Sequence, residues 1–90
     1  MALRFAANLA SARRGAGITQ EELAFRAALH RTEIGLLERG ARVPRIDTLV
    51  KLASALGVEA QVLLSGLSWQ PGDFQPGAFS IARQTTAPKG

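Results

Sequence analysis

Glycine punctuation at Gly15 and Gly17, Gly40, Gly57 and Gly66 constrains this chain more than any other feature. It divides the first 66 residues into short segments, and within each the apolar residues recur at helical spacing. In residues 2–14, Phe5, Leu9 and Ala12 share a face, and "RGAG" at 14–17 ends the helix with two glycines able to take positive φ. "TQEEL" restarts the chain: Thr19 is a good N-cap, and Glu22 three residues on completes a capping box. Leu23, Ala24 and Ala27 carry this second helix to about Ala28. A third helix is predicted from about His30 to Arg39, with Ile34 and Leu37 inward and Gly40 as its left-handed stop. Pro44 discourages helix at Val43, so "ARVPR" reads as a loop. Ile46 to Leu56 reads as a fourth helix, with Leu49, Leu52, Ala53 and Leu56 on one face and Gly57 at its end. A short fifth, Glu59 to Ser65, ends at Gly66.

Ninety residues suit one domain, and 47% hydrophobic content rich in Ala and Leu suits a small helical core. With no cysteine, neither a disulfide framework nor a thiolate metal site can form. The formal net charge is +4, and nine of the eleven basic residues lie in positions 1–51. Between Arg26 and Arg45 five arginines stand against two glutamates, a local +3. Such a patch prefers an anionic surface, although a merely solvated face has the same composition. The amino-terminal "MALRFAANLASARRG" is too short and too weakly apolar for a secretory signal. Its lack of acids makes an organelle-targeting helix the better rival, but Leu9, Ala12 and Arg13 are useful to the fold. No run approaches the ~18 apolar residues of a membrane span, and a cytoplasmic location is expected.

After Gly66 the composition changes. "LSWQPGDFQPGAFSIARQTTAPKG" has no helical period, its Pro-Gly pairs at 71–72 and 76–77 predict turns, and "AFSI" is the favoured strand. The last residues are expected to be disordered. Trp69, Phe74, Phe79 and Ile81 are too apolar for a random linker. A hairpin folded back over the fifth helix, an arm exchanged between subunits and a docking segment for another protein all remain open.

Two short helices joined by a tight turn, the second with a polar outer face, describe a helix-turn-helix. In the twenty-residue unit that starts at Gln20, Ala24 falls where the helices cross closely, and Ile34 and Leu37 fall on the buried face of the second. Residues 3–66 resemble the Cro/repressor-type, or XRE-type, helix-turn-helix family through "GITQEELA", "IGLLERG", "P..DTLVKLASALGV" and "LLSG" in order. The resemblance implies an all-α, compact five-helix lambda-repressor-like domain over 1–66, with residues 67–90 an extended or β-hairpin tail. It also implies sequence-specific binding of double-stranded DNA, usually as a homodimer and usually for transcriptional control.

The same resemblance implies an ion pair between Arg13 and Glu38, tying the first helix to the third beneath the DNA-facing surface. Gln20 stands where the family bonds a phosphate and buttresses the reading helix. Outward residues of the third helix are the expected base readers. Arg31 can bond guanine O6 and N7 as a fork, and Thr32 and Leu36 can touch a thymine methyl. Arg39, Arg42 and Arg45 suit backbone phosphates. Glu33, in the first turn, is read as a helix-dipole residue before a cytosine acceptor. Val62, Leu63, Leu67, Trp69, Phe79 and Ile81 are the apolar residues expected at a dimer interface.

Three positions depart from the family pattern in capping: His30, Arg45 and Glu59 stand where serine-like N-caps are preferred. A fourth, Ala28, replaces a turn glycine, so either positive φ there costs about 1 kcal/mol or the turn relaxes. One histidine, no cysteine and no evident carboxylate pair leave no nucleophile–base pair and no metal set, so neither catalysis nor a cofactor is expected. The function classes that remain are a DNA-binding regulator, most simply a repressor; an antitoxin that masks a toxin through residues 67–90; and a protein-interaction module that lost DNA.

Overall fold

The computed structural model describes residues 1–71 and, as backbone, residues 72 and 75–81. Five helices come first: α1 (Ala2–Gly15), α2 (Gln20–Ala27), α3 (Arg31–Glu38), α4 (Ile46–Leu56) and α5 (Ala60–Leu63). An antiparallel pair of strands, β1 (Leu67–Gly72) and β2 (Gln75–Ile81), follows. Helices α2 and α3 each start and stop within about one residue of the sequence expectation, whereas α5 is shorter and continues only as turns to Gly66.

Each boundary has a local cause. Arg13 and Arg14 in the last turn of α1 complement its dipole, and Gly17 then turns the chain at φ 74°. The hydroxyl of Thr19 accepts from the Glu22 amide at 3.0 Å, so half of the capping box forms. The other half does not, because the Glu22 carboxylate accepts instead from Arg26 Nε at 2.8 Å, one helical turn on. Gly40 takes φ 74° and meets α1 closely: a Cβ there would lie 3.3 Å from Leu3 Cα. Gly57 ends α4 in the left-handed conformation. His30, Arg45 and Glu59 make no side-chain cap bond at the starts of α3, α4 and α5.

The core gathers one face of every helix. Phe5 and Leu9 of α1, Leu23, Ala24 and Ala27 of α2, and Ile34 and Leu37 of α3 meet Leu49, Leu52 and Ala53 of α4 and Leu63 of α5. Helix α3 packs on α1 and α2, and α2 also packs on α4. The alanines of α2 let these helices approach, and Ala12 closes the α1 edge of the cluster. Asn8 fastens α5 to α1 by donating to the carbonyls of Leu63 and Ser65 at 3.0 and 2.8 Å.

Ala28 is the only non-glycine residue with positive φ among the described residues, at φ 56° and ψ 46°. The amides of Ala28 and Leu29 are bonded back to α2 through this conformation, so the turn keeps its geometry and the Cβ bears the cost. Ala28→Gly is therefore expected to raise the unfolding free energy by about 1 kcal/mol, since the left-handed penalty exceeds the entropy that glycine adds to the unfolded chain. Chemical denaturation of the two proteins checks it; a loss of stability would mean that the Cβ has a packing role.

The tail corrects two expectations. Pro71-Gly72 and Pro76-Gly77 lie within strands rather than at turns. Trp69 pairs with Phe79, Gln70 with Ala78 and Gly72 with Gln75, so Pro71 and the Pro76-Gly77 pair fall at a register shift. A bulge suits proline because the ladder asks for no amide there, and in two strands each has a free edge. "AFSI" does lie in a strand, as expected. Phe74 and the residues beyond Ile81 lie outside the described residues, as do the side chains of Phe79 and Ile81. Leu67, Ser68 and Trp69 line a small apolar hollow with Met1 and with Leu64 at the end of α5, while Val62 is 44% exposed. Leu63 belongs to the core at 0% exposure and cannot serve a dimer interface; on so short a helix, periodicity alone does not separate it from Val62.

Candidate nucleic-acid interface

Helix α3 has one face committed to the fold. Ile34 and Leu37 are fully buried, and the end of the helix is held from below by charge. Arg13 Nε donates to Glu38 Oε2 at 2.7 Å and its Nη2 to Oε1 at 3.1 Å, a two-point fork. A third Arg13 nitrogen, Nη1, donates to the Ile18 carbonyl at 2.9 Å. Gln20 Nε2 adds a bond to Glu38 Oε1 at 3.0 Å. One carboxylate on α3 thus gathers the end of α1 and the start of α2, with the Arg13 and Glu38 side chains only 15% and 7% exposed. The hydrogen bond that Arg13 donates to Glu38 holds its guanidinium above the ordinary pKa; burial opposes this and the charge of Glu38 reinforces it.

The opposite face is open. Arg31 and Thr32, in the first turn, are exposed, and Leu36 is half-buried. Arg31 also borders a shallow hollow of about 590 Å³ shared with Arg13, Thr19, Gln20 and Glu21 at the amino end of α2. Gln20 therefore faces both ways: it bonds Glu38 and lines a polar surface where an anion would meet the α2 amino terminus. At the far end of α3, Arg39 is exposed.

Two of the expected phosphate arginines are engaged within the chain. Arg42 Nη1 meets Glu33 Oε1 at 2.7 Å, and Arg45 Nε lies 3.4 Å from Asp47 Oδ1. The Arg45 pair is well exposed, so water and salt screen it and it is easily exchanged. The Glu33–Arg42 pair is tighter and links α3 to the following loop. Sequence spacing did not reveal it, because only the loop's path brings residues nine apart together. It accounts for Glu33 without a base contact. Gly35, at the centre of α3, also escaped the sequence reading; it is buried, with the Arg39 guanidinium over it.

Comparison with known proteins places this geometry. A helix-turn-helix family model matches residues 9–63, which includes the α2–α3 unit and the core around it. Over 47 residues, 52% of this chain, the sequence is 47% identical to "Control protein C.BamHI" of Bacillus amyloliquefaciens. It is also 47% identical over 51 residues, 57% of this chain, to an HTH-type transcriptional regulator, y4dJ, of Sinorhizobium fredii. These matches span 58% and 66% of the two relatives' own lengths. Among solved structures, the restriction-modification controller protein C.AhdI from Aeromonas hydrophila superposes with a TM-score of 0.67 at 37% identity. That superposition covers 69% of this chain and 94% of the controller protein. The chain belongs to the XRE-type helix-turn-helix family, with the lambda-repressor-like arrangement of five helices.

Proposed function

We propose that this protein is a sequence-specific transcriptional regulator, most simply a repressor, that lays α3 in the major groove of duplex DNA. One observation carries the reading: exposed Arg31 and Thr32 stand on the first turn of a helix whose other face is locked by Ile34, Leu37 and the Arg13–Glu38 fork. A reading helix needs rigid placement, because a base-edge hydrogen bond tolerates little error in distance or angle. Arg31 reads guanine or clamps a phosphate beside Gln20, and Thr32 and Leu36 contact a thymine methyl. Arg39 meets the backbone directly. Arg42 and Arg45 reach it by exchanging Glu33 and Asp47 for phosphate. The descriptions of C.BamHI and C.AhdI as control and controller proteins favour control of restriction-modification genes over the masking of a toxin.

Selection from a random duplex pool, followed by titration at several salt concentrations, tests the proposal. Arg31→Ala is expected to cost about 1–3 kcal/mol on the selected duplex and to relax preference at one base pair per half-site. Arg39→Ala is expected to weaken all duplexes alike and to reduce the salt slope by about 0.9. If Arg31→Ala alters only the slope, Arg31 is a phosphate clamp. A chain that enriches no sequence is an interaction module and not a regulator of this kind.

A further inference from the structure

Gly35 is hard to explain from the fold. It stands at the centre of an eight-residue helix, and its φ is not in the left-handed region, so no turn requires it. No close packing requires it either. A Cβ built there would find one atom beyond the local backbone within 4 Å, Arg39 Nη1 at 3.3 Å, the far end of a flexible side chain. Glycine in a helix interior nonetheless lowers the melting temperature of a domain this size by about 4–8 °C relative to alanine. A helix only eight residues long, with an uncapped start, has little propensity to spare.

By helical spacing Gly35 stands on the side of α3 that carries Arg31 and Thr32, four and three residues before it. It is buried there, with the guanidinium of the C-cap residue Arg39 over it. A helix with its side chains is about 10–12 Å across, and the major groove of B-DNA is about 12 Å wide. Clearance is therefore scarce, and the residue at the middle of the inserted face decides how deep the helix sits.

We infer that Gly35 is a specificity-determining residue: the missing side chain lets the α3 backbone seat directly against the base edges, bringing Arg31 and Thr32 within hydrogen-bonding reach of them. The inference rests on the major-groove reading proposed above. The occupant of the gap is a base-edge group, and Arg39, which covers Gly35 in the free protein, moves aside to the phosphates on binding.

The test compares the wild type, Gly35→Ala and Gly35→Gln in two measurements: melting without DNA, and binding to the duplex that the wild type selects from a random pool. Gly35→Ala is expected to melt about 4–8 °C higher and yet bind the selected duplex about ten-fold more weakly, with Gly35→Gln weaker still. Binding to an unrelated duplex should change little. The loss must persist in an Arg39→Ala background; if it disappears there, Gly35 acts only by placing Arg39 and the inference fails. It fails equally if Gly35→Ala binds as the wild type does, or melts lower because the fold itself needs glycine. A wild type that selects no duplex overturns the major-groove reading and this inference with it, whereas unchanged affinity of Gly35→Ala beside a selective wild type overturns the inference alone.

Discussion

Glu38→Gln is expected to lower the unfolding free energy by about 3 kcal/mol, among the largest effects available to a single substitution in this chain. The substitution keeps the shape of the side chain and removes its charge. Arg13 is then left nearly enclosed without a counter-charge. One amide oxygen and the Ile18 carbonyl still accept from it, while an NH2 group replaces the second carboxylate oxygen of the fork. Breaking a buried pair costs about 3–5 kcal/mol, and the lower end applies because Arg13 keeps 15% of its surface. The raised pKa of Arg13 sets the pH sign: its contribution is complete below the ordinary arginine value and is lost only as pH rises through the higher folded value. Arg13 therefore adds no pH dependence near neutrality. Surface pairs behave otherwise, since Glu22–Arg26 and Arg45–Asp47 are exposed and each contributes under about 1 kcal/mol. A double-mutant cycle with Arg13→Gln measures the coupling. A value below about 0.5 kcal/mol would mean that α3 is held by Ile34 and Leu37 alone, and that the fork is a by-product of the fold.

The contrast between Glu38 and Glu33 explains what could be read before the structure. Glu38 had a family position and a partner with its own family position, so the pairing with Arg13 was an expectation from two matches. The partner of Glu33 sits in the loop after α3, whose path no periodicity describes. Helix limits were legible because glycines at 17, 40, 57 and 66 all adopt positive φ, where L side chains are penalised. The Pro-Gly pairs misled for a related reason: both residues favour turns, and only the pairing register shows that a bulge accommodates them. At Ala28 the sequence left open whether the turn would relax, and the structure keeps it left-handed. Gly35 was visible in the sequence but carried no signal until its lack of neighbours was known.

Removing residues 67–90 is expected to reduce the mass in solution from dimer to monomer and to weaken operator binding by about 10²–10⁴-fold while leaving the helices folded. Among the described residues the last member of the core is Leu63, before the cut, and Asn8 already fastens α5 to α1. The cut removes the apolar residues of the strand pair. Trp69 is 51% exposed beside Met1 and Leu64, and β2 brings Phe79 and Ile81 into register with Trp69 and Leu67. One helix-turn-helix module buries only about 600–1,000 Å² on DNA, too little for a regulator that must outbid a genome of competing sites. Two modules joined through this surface, reading half-sites about 34 Å apart, make the second contact effectively intramolecular. Light scattering without DNA and titration of a palindromic operator separate the outcomes. A truncated chain that keeps both the dimer mass and the affinity would place the interface on exposed Val62 and Leu64 and leave the hairpin free for another partner. A full chain that is monomeric at high micromolar concentration would instead mean that adjacent half-sites on DNA, and not this apolar surface, bring two copies together.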